Sequence, residues 1–298
     1  MVLHLLASSQ PQLTWDIGRD VRQLLEFPFM VNAFRVGTIV AVTAGCVGWF
    51  MVLRRQTFAG HTLAIVGFPG AAGAVLVGVS ADVGFFAFAV AAALVIGASS
   101  RGARGGFSEE SSVIATVQAF ALACGFLFTS LYRGNLTGVN ALLFGSFLGI
   151  TNREVLTVAV LSAAALAALA AMARPLLFAS VDPDVADASG VPVRLLGPVF
   201  LVVLAVAAGS TGQITGALLV FALLVLPPAT AQRLTTHPGM GVALSVGIAV
   251  AVTWAALALA YYSSYPIGFY LTSIAFAVYL LAGAAGRIRR PRPMAATS

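Results

Sequence analysis

GMGVALSVGIAVAVTWAALALAYY, residues 239–262, is long enough to cross a bilayer and carries no charged side chain. A helix needs about 20 mostly apolar residues to span the hydrocarbon core. Every backbone N–H and C=O inside that core must bond within the protein. Eight further segments meet or nearly meet this demand: about 30–53, 57–79, 83–99, 111–132, 152–173, 193–210, 213–232 and 265–285. Proline interrupts 57–79 and 213–232, so eight spans with one re-entrant piece fit nearly as well as nine. The expected fold class is all-α, a polytopic transmembrane bundle of eight or nine spans with a short cytoplasmic helix.

Composition agrees. Hydrophobic residues make up 60% of the 298 and charged residues 9%, against roughly 25% charged in soluble domains. All 16 basic residues are Arg. A phosphate-binding loop requires Lys on the β- and γ-phosphates, so this chain is no P-loop ATPase. If ATP drives it, another subunit hydrolyses the ATP. The net charge of +6 resides between apolar segments and at the C-terminus, which points to membrane topology and not to nucleic acid. Cys46 and Cys124 are isolated in apolar segments, so neither a disulfide framework nor a thiolate metal site is expected.

The arginines orient the bundle. With the tail RIRRPRP (287–293) in the cytoplasm, nine spans bring Arg54, Arg55, Arg101, Arg104, Arg174, Arg194 and Arg233 to the same side. Arg19, Arg22, Arg133 and Arg153 fall outside, with Arg35 near the outer end of the first span. Positive charge is retained in the cytoplasm, so the N-terminus is expected outside. The start, MVLHLLASSQPQLTWDIGRD, lacks a basic n-region and a long apolar run, and is not expected to be a cleaved signal peptide. Residues 12–27 mix Leu, Trp and Phe with charges, as an interfacial helix does; a plain polar tail is the alternative. The expected organisation is one transmembrane domain over 1–298, with 1–28 extracytoplasmic and 286–298 a cytoplasmic basic tail.

Three segments carry candidate mechanism. In DPDVADASGVPVR (182–194), Asp182 can cap a helix, Pro183 suits its first position and Gly190 can close it. So short a helix is a poor stabiliser alone, and its expected use is as a contact; an ordinary structured loop is the alternative. In ITGALLVFALLVLPPATAQR (214–233), Pro227 and Pro228 each remove a donor and are expected to break or kink the helix. Broken helices line transport pathways, although a kink can serve packing alone. In QTFAGHTLAIVGFPGAAGA (56–74), Gly67, Gly70 and Gly73 leave a smooth face for close packing or a passage wall, and Pro69 bends it. His61 is the only ionisable group in this span, and imidazole is a divalent-metal ligand. It either touches an ion in transit or is hydrogen-bonded near the rim. No carboxylate lies in mid-membrane, which argues against an ion-coupled carrier and against a membrane-embedded hydrolase.

At these segments the chain resembles the membrane permeases of bacterial zinc/manganese ABC import systems. The matching blocks are VLRRQTFAGHTLAIVGFPG (52–70), LLFGSFL (142–148), DPDVADASGV (182–191) and TGALLVFALLVLPPATA (215–231). Their order covers about 30–285. The resemblance implies a homodimer in the bacterial cytoplasmic membrane on two cytoplasmic ABC ATPase subunits, fed by an external metal-binding lipoprotein. Asp182, Pro183, Asp184, Ala186 and Gly190 would form the helix that docks on the ATPase. Pro227 and Pro228 would serve gating, His61 would meet the metal, and Zn2+ or Mn2+ would be cargo, with no catalytic residue and no bound cofactor. The chain departs from the family pattern where Asp becomes His61, His becomes Ile65 and the Asp of the LLFG block becomes Ser146. Two other readings are an ABC permease for a metal chelate or cobalamin, which usually has ten spans, and a secondary carrier without an ATPase.

Overall fold

The computed structural model describes residues 22–24, 26–100, 107–132, 150–263 and 265–289. These form nine long helices and one short one: α1 (Pro28–Leu53), α2 (Thr57–Leu76), α3 (Ala81–Ser100), α4 (Phe107–Leu131), α5 (Asn152–Val181), α6 (Pro183–Ala188), α7 (Val193–Thr215), α8 (Ala217–Leu234), α9 (Pro238–Tyr261) and α10 (Ile267–Arg289). Among the described residues, eight helices are long and apolar enough to cross a membrane. The remaining long one, α8, contributes a shorter apolar stretch, Val220–Leu234. Most of 12–27, with Arg101, Arg104, Arg133, Ser146 and the tail beyond Arg289, lies outside the described residues.

Cross-helix contacts fix the direction of each helix. At the end of α1, Arg54 donates to Ser180 Oγ near the end of α5 at 3.2 Å. At the start of α1, Asn32 donates to the Ile150 carbonyl just before α5 at 3.0 Å. Helices α1 and α5 therefore run the same way. Gln56 donates to Glu110, which brings the start of α4 to the Arg54 end, and Gly97 meets Pro198, which brings the end of α3 and the start of α7 there. Gln232 donates to the Trp49 carbonyl at 3.0 Å, so α8 ends at that side, and Gly241 against Trp49 starts α9 there. Trp254 bonds Thr38 near the opposite end. Arg233 lies over the Tyr279 ring, which brings α10 back. The nine long helices thus alternate in direction. Arg54, Arg55, Arg174, Arg194, Arg233, Arg287 and Arg289 gather at one end, and Arg22, Arg35 and Arg153 at the other.

Lipid gives no hydrophobic drive for helices to associate, so close backbone approach has to hold them together. Small residues supply it. A Cβ on Gly70 would lie 2.3 Å from the Gly84 carbonyl oxygen, and one on Gly84 would lie 2.3 Å from that of Gly70. Such contacts bring in Cα–H···O interactions of about 0.5–1 kcal/mol each. Gly67 faces the buried ring of Phe85, and Gly73 faces Phe128 of α4. The smooth face of α2 is therefore a packing face against α3 and α4. Buried hydroxyls of Thr43, Ser210, Thr211, Thr230 and Thr253 return their hydrogen bonds to carbonyls of their own helix, which satisfies them without water.

Of the break or kink expected at the proline pair, the structure shows no break. Helix α8 continues through Pro227 and Pro228, both buried. The discontinuity falls earlier, at Gly216, with φ 84° and ψ 143°. That left-handed value favours glycine, and it lets one residue turn the chain from α7 back into α8.

Candidate functional site

The short helix α6 sits between α5 and α7 at the arginine-rich end, and its ends are built as the sequence suggests. Asp182 accepts from the Val185 N–H at 3.0 Å, and Pro183 occupies the first turn. Such a cap contributes about 1 kcal/mol. At the other end Gly190 has φ 84°. The Gly190 N–H donates to the Asp187 carbonyl, and the Val191 N–H reaches back to that of Ala186, both at 3.0 Å. This is a Schellman closure, and Val191 is a participant the sequence did not single out. Ala186 is fully buried, whereas Pro183, Asp184, Val185, Asp187 and Ala188 are exposed. Val181, Val185 and Leu195 add exposed apolar surface beside the carboxylates.

Arg54, in the turn between α1 and α2, links this region to the bundle. Its Nε donates to Gln56 Oε1 at 3.2 Å and its Nη1 to Ser180 Oγ at 3.2 Å. The guanidinium lies 5.6 Å from the centroid of the Phe200 ring on α7. Gln56 in turn donates to Glu110 on α4 at 3.3 Å. Burial pushes the Arg54 guanidinium below its ordinary value while Glu110 pulls it back up; arginine remains a cation throughout. These groups border a cavity of about 560 Å³, also lined by Gly97 and by Val193, Arg194 and Gly197 of the first turns of α7.

His61 lies four residues into α2, roughly 6 Å of helix from its start. It is half-buried, and its ring meets Phe221 of α8 edge-on with centroids 4.9 Å apart. Its Nδ1 is buried without a hydrogen-bond partner, so the expected bonded rim histidine is not what the structure holds at that atom. Ile65, one turn further, adds no donor atom. Among the described residues no group of three or more His, Cys, Asp or Glu is placed to hold a metal ion. A single imidazole can give an ion passing contact but not a resting site, since divalent transition metals take four or more ligands.

Further along α8 from Phe221, the proline pair leaves a polar consequence. Pro228 has no N–H, so the Leu224 carbonyl loses its helical donor. That oxygen points at Gly48 of α1, where a Cβ would lie 2.3 Å from it and 2.9 Å from Pro228 Cγ. The freed carbonyl is thus received by the α-carbon of a glycine. Nothing in the run around Gly48 distinguished it from its apolar neighbours. Among the described contacts none joins α6 to His61; Arg54 and Gln56 connect the arms of α6 to the start of α2.

Residues 26–286 match the ABC 3 transport family. The chain belongs to that family. As an ABC 3 protein with these spans it is a membrane permease, a multi-pass cell-membrane protein. It is 28% identical to the manganese transport system membrane protein MntC of Halalkalibacterium halodurans, over 72% of this chain and 73% of that one. A Haemophilus influenzae protein named for an iron transport system is 26% identical, over 89% and 96%. Among solved structures, PsaBC from Streptococcus pneumoniae in complex with Fab shares the fold. Its TM-score is 0.78 at 24% identity, over 89% of this chain and 95% of that one.

Proposed function

We propose that this ABC 3 permease imports a divalent transition-metal ion, manganese or zinc. It works as a homodimer on two cytoplasmic ATPase subunits and receives metal from an external binding lipoprotein. The arginine-rich end faces the cytoplasm, following the retention of positive charge there. The observation that carries the reading is α6: capped at both ends and exposed except for Ala186, it projects from that end of a bundle with no nucleotide-binding loop. The manganese names of several relatives support the cargo class. Asp184 and Asp187, beside Val185, suit a partner groove with basic and apolar walls. Pro227 and Pro228 serve gating by leaving α8 a carbonyl that its own helix does not hold.

Cells lacking this gene, compared for manganese, zinc and iron accumulation, test the cargo. Loss of manganese or zinc alone is the expected result, and unchanged levels of both contradict it. Within the permease, His61→Ala is expected to lower uptake at limiting metal, because it removes the only imidazole of α2. Unchanged uptake would leave His61 a packing residue against Phe221.

A further inference from the structure

We infer that Arg54 is the positioning residue that transmits movement of α6 to α2, the helix carrying His61. The inference rests on the proposed docking of an ATPase at α6 and adds how its motion reaches the path. Helix α6 is held by two arms, the end of α5 and the start of α7. Arg54 touches both: Nη1 bonds Ser180, two residues before Asp182, and the guanidinium carbon lies 5.6 Å from the ring centroid of Phe200, seven residues into α7. Through Nε it holds Gln56, the residue that immediately precedes α2. Gln56 is also bonded to Glu110, so the far side of the same turn is anchored on α4.

The cavity explains why a side chain is needed for this. On the side of Arg54 the first turns of α7 face about 560 Å³ of open space, with Gly97 and Gly197 on its walls, while their close contact, Pro198 on Gly97, is with α3. A packed interface transmits displacement by itself, whereas an open one gives way. Here the guanidinium spans the gap with a planar fork of donors. A shift of α6 moves Ser180 and Phe200 together, and the fork carries Gln56 and the start of α2 with them. Lys offers a point charge without the plane or the second donor direction, and replaces Arg poorly at such a site.

The test uses the complete permease–ATPase complex in vesicles, with uptake of Mn2+ or Zn2+ and ATP hydrolysis measured on the same sample. For Arg54→Ala the expected result is normal co-purification of the ATPase, continued hydrolysis, and metal moved per ATP lowered by roughly five-fold or more. Arg54→Lys should recover only part of that ratio. A residue that only supports the fold would lower hydrolysis, uptake and yield together, and the ratio would stand. An unchanged ratio in Arg54→Ala overturns the inference. If that variant does not insert, Ser180→Ala and Glu110→Ala decide: both should lower the ratio, and a wild-type ratio in either overturns it. The wild-type complex separates the two levels, since a wild-type chain that moves metal without any ATPase refutes the docking reading before Arg54 is tested.

Discussion

Replacing Asp182–Ser189 with a Gly/Ser linker is expected to abolish association with the ATPase while the permease still inserts and keeps its spans. Helix α6 buries only Ala186 against the rest of the protein, so its removal costs the bundle little. What it removes is a preformed surface. A linker would have to be ordered on docking, at about 1–2 kcal/mol per residue, and it offers neither Val185 nor the two aspartates. Over six helical residues that exceeds what a small contact returns. A milder change has a smaller predicted effect. Asp182→Ala removes a cap of about 1 kcal/mol and should weaken co-purification about five-fold, with docking recovered at higher ATPase concentration. Full co-purification of the linker variant would refute the docking role of α6.

The second large effect is expected at Gly48. Gly48→Val places its Cβ against the Leu224 carbonyl oxygen and Pro228 Cγ, at 2.3 and 2.9 Å in the present geometry. Backbone cannot rotate away as a side chain can. Overpacking of this kind costs typically 1–3 kcal/mol, and a backbone obstacle puts it at the upper end. Helices α1 and α8 must separate, which also withdraws the partner of the freed carbonyl. Thermal stability in detergent should fall and uptake should be lost. Gly247→Val is the control, because that glycine is exposed and a Cβ there meets nothing within 4 Å. Equal stability and uptake in the two variants would contradict the packing described between α1 and α8.

Membrane spans and the α6 caps were legible because each depends on local chemistry. A charge-free run such as 239–262 has lipid as its solvent wherever it sits in the fold. Asp182, Pro183 and Gly190 act within a few residues of one another, and the structure forms that helix with those ends. Features that join distant parts of the chain were not legible. Arg54 and Ser180 are 126 residues apart, and a pair of arginines before a span looks like topology alone. Gly48 is one small residue among many, and only the carbonyl released by Pro228 on another helix gives it a task. The turn at Gly216 was hidden for a related reason. Two adjacent prolines are the stronger local signal, yet α8 tolerates them because buried neighbours enclose the freed groups, and a single glycine in the left-handed region makes the reversal. His61 was visible as an ionisable group in lipid, but its contact with Phe221 and its unpartnered Nδ1 belong to the assembled bundle.

The most direct test is metal uptake into sealed vesicles by the purified permease, with and without its ATPase subunit. The account predicts no net uptake from the permease alone under a proton or sodium gradient, and ATP-dependent uptake once the ATPase is bound. Concentrative uptake by the permease alone on an ion gradient would contradict it.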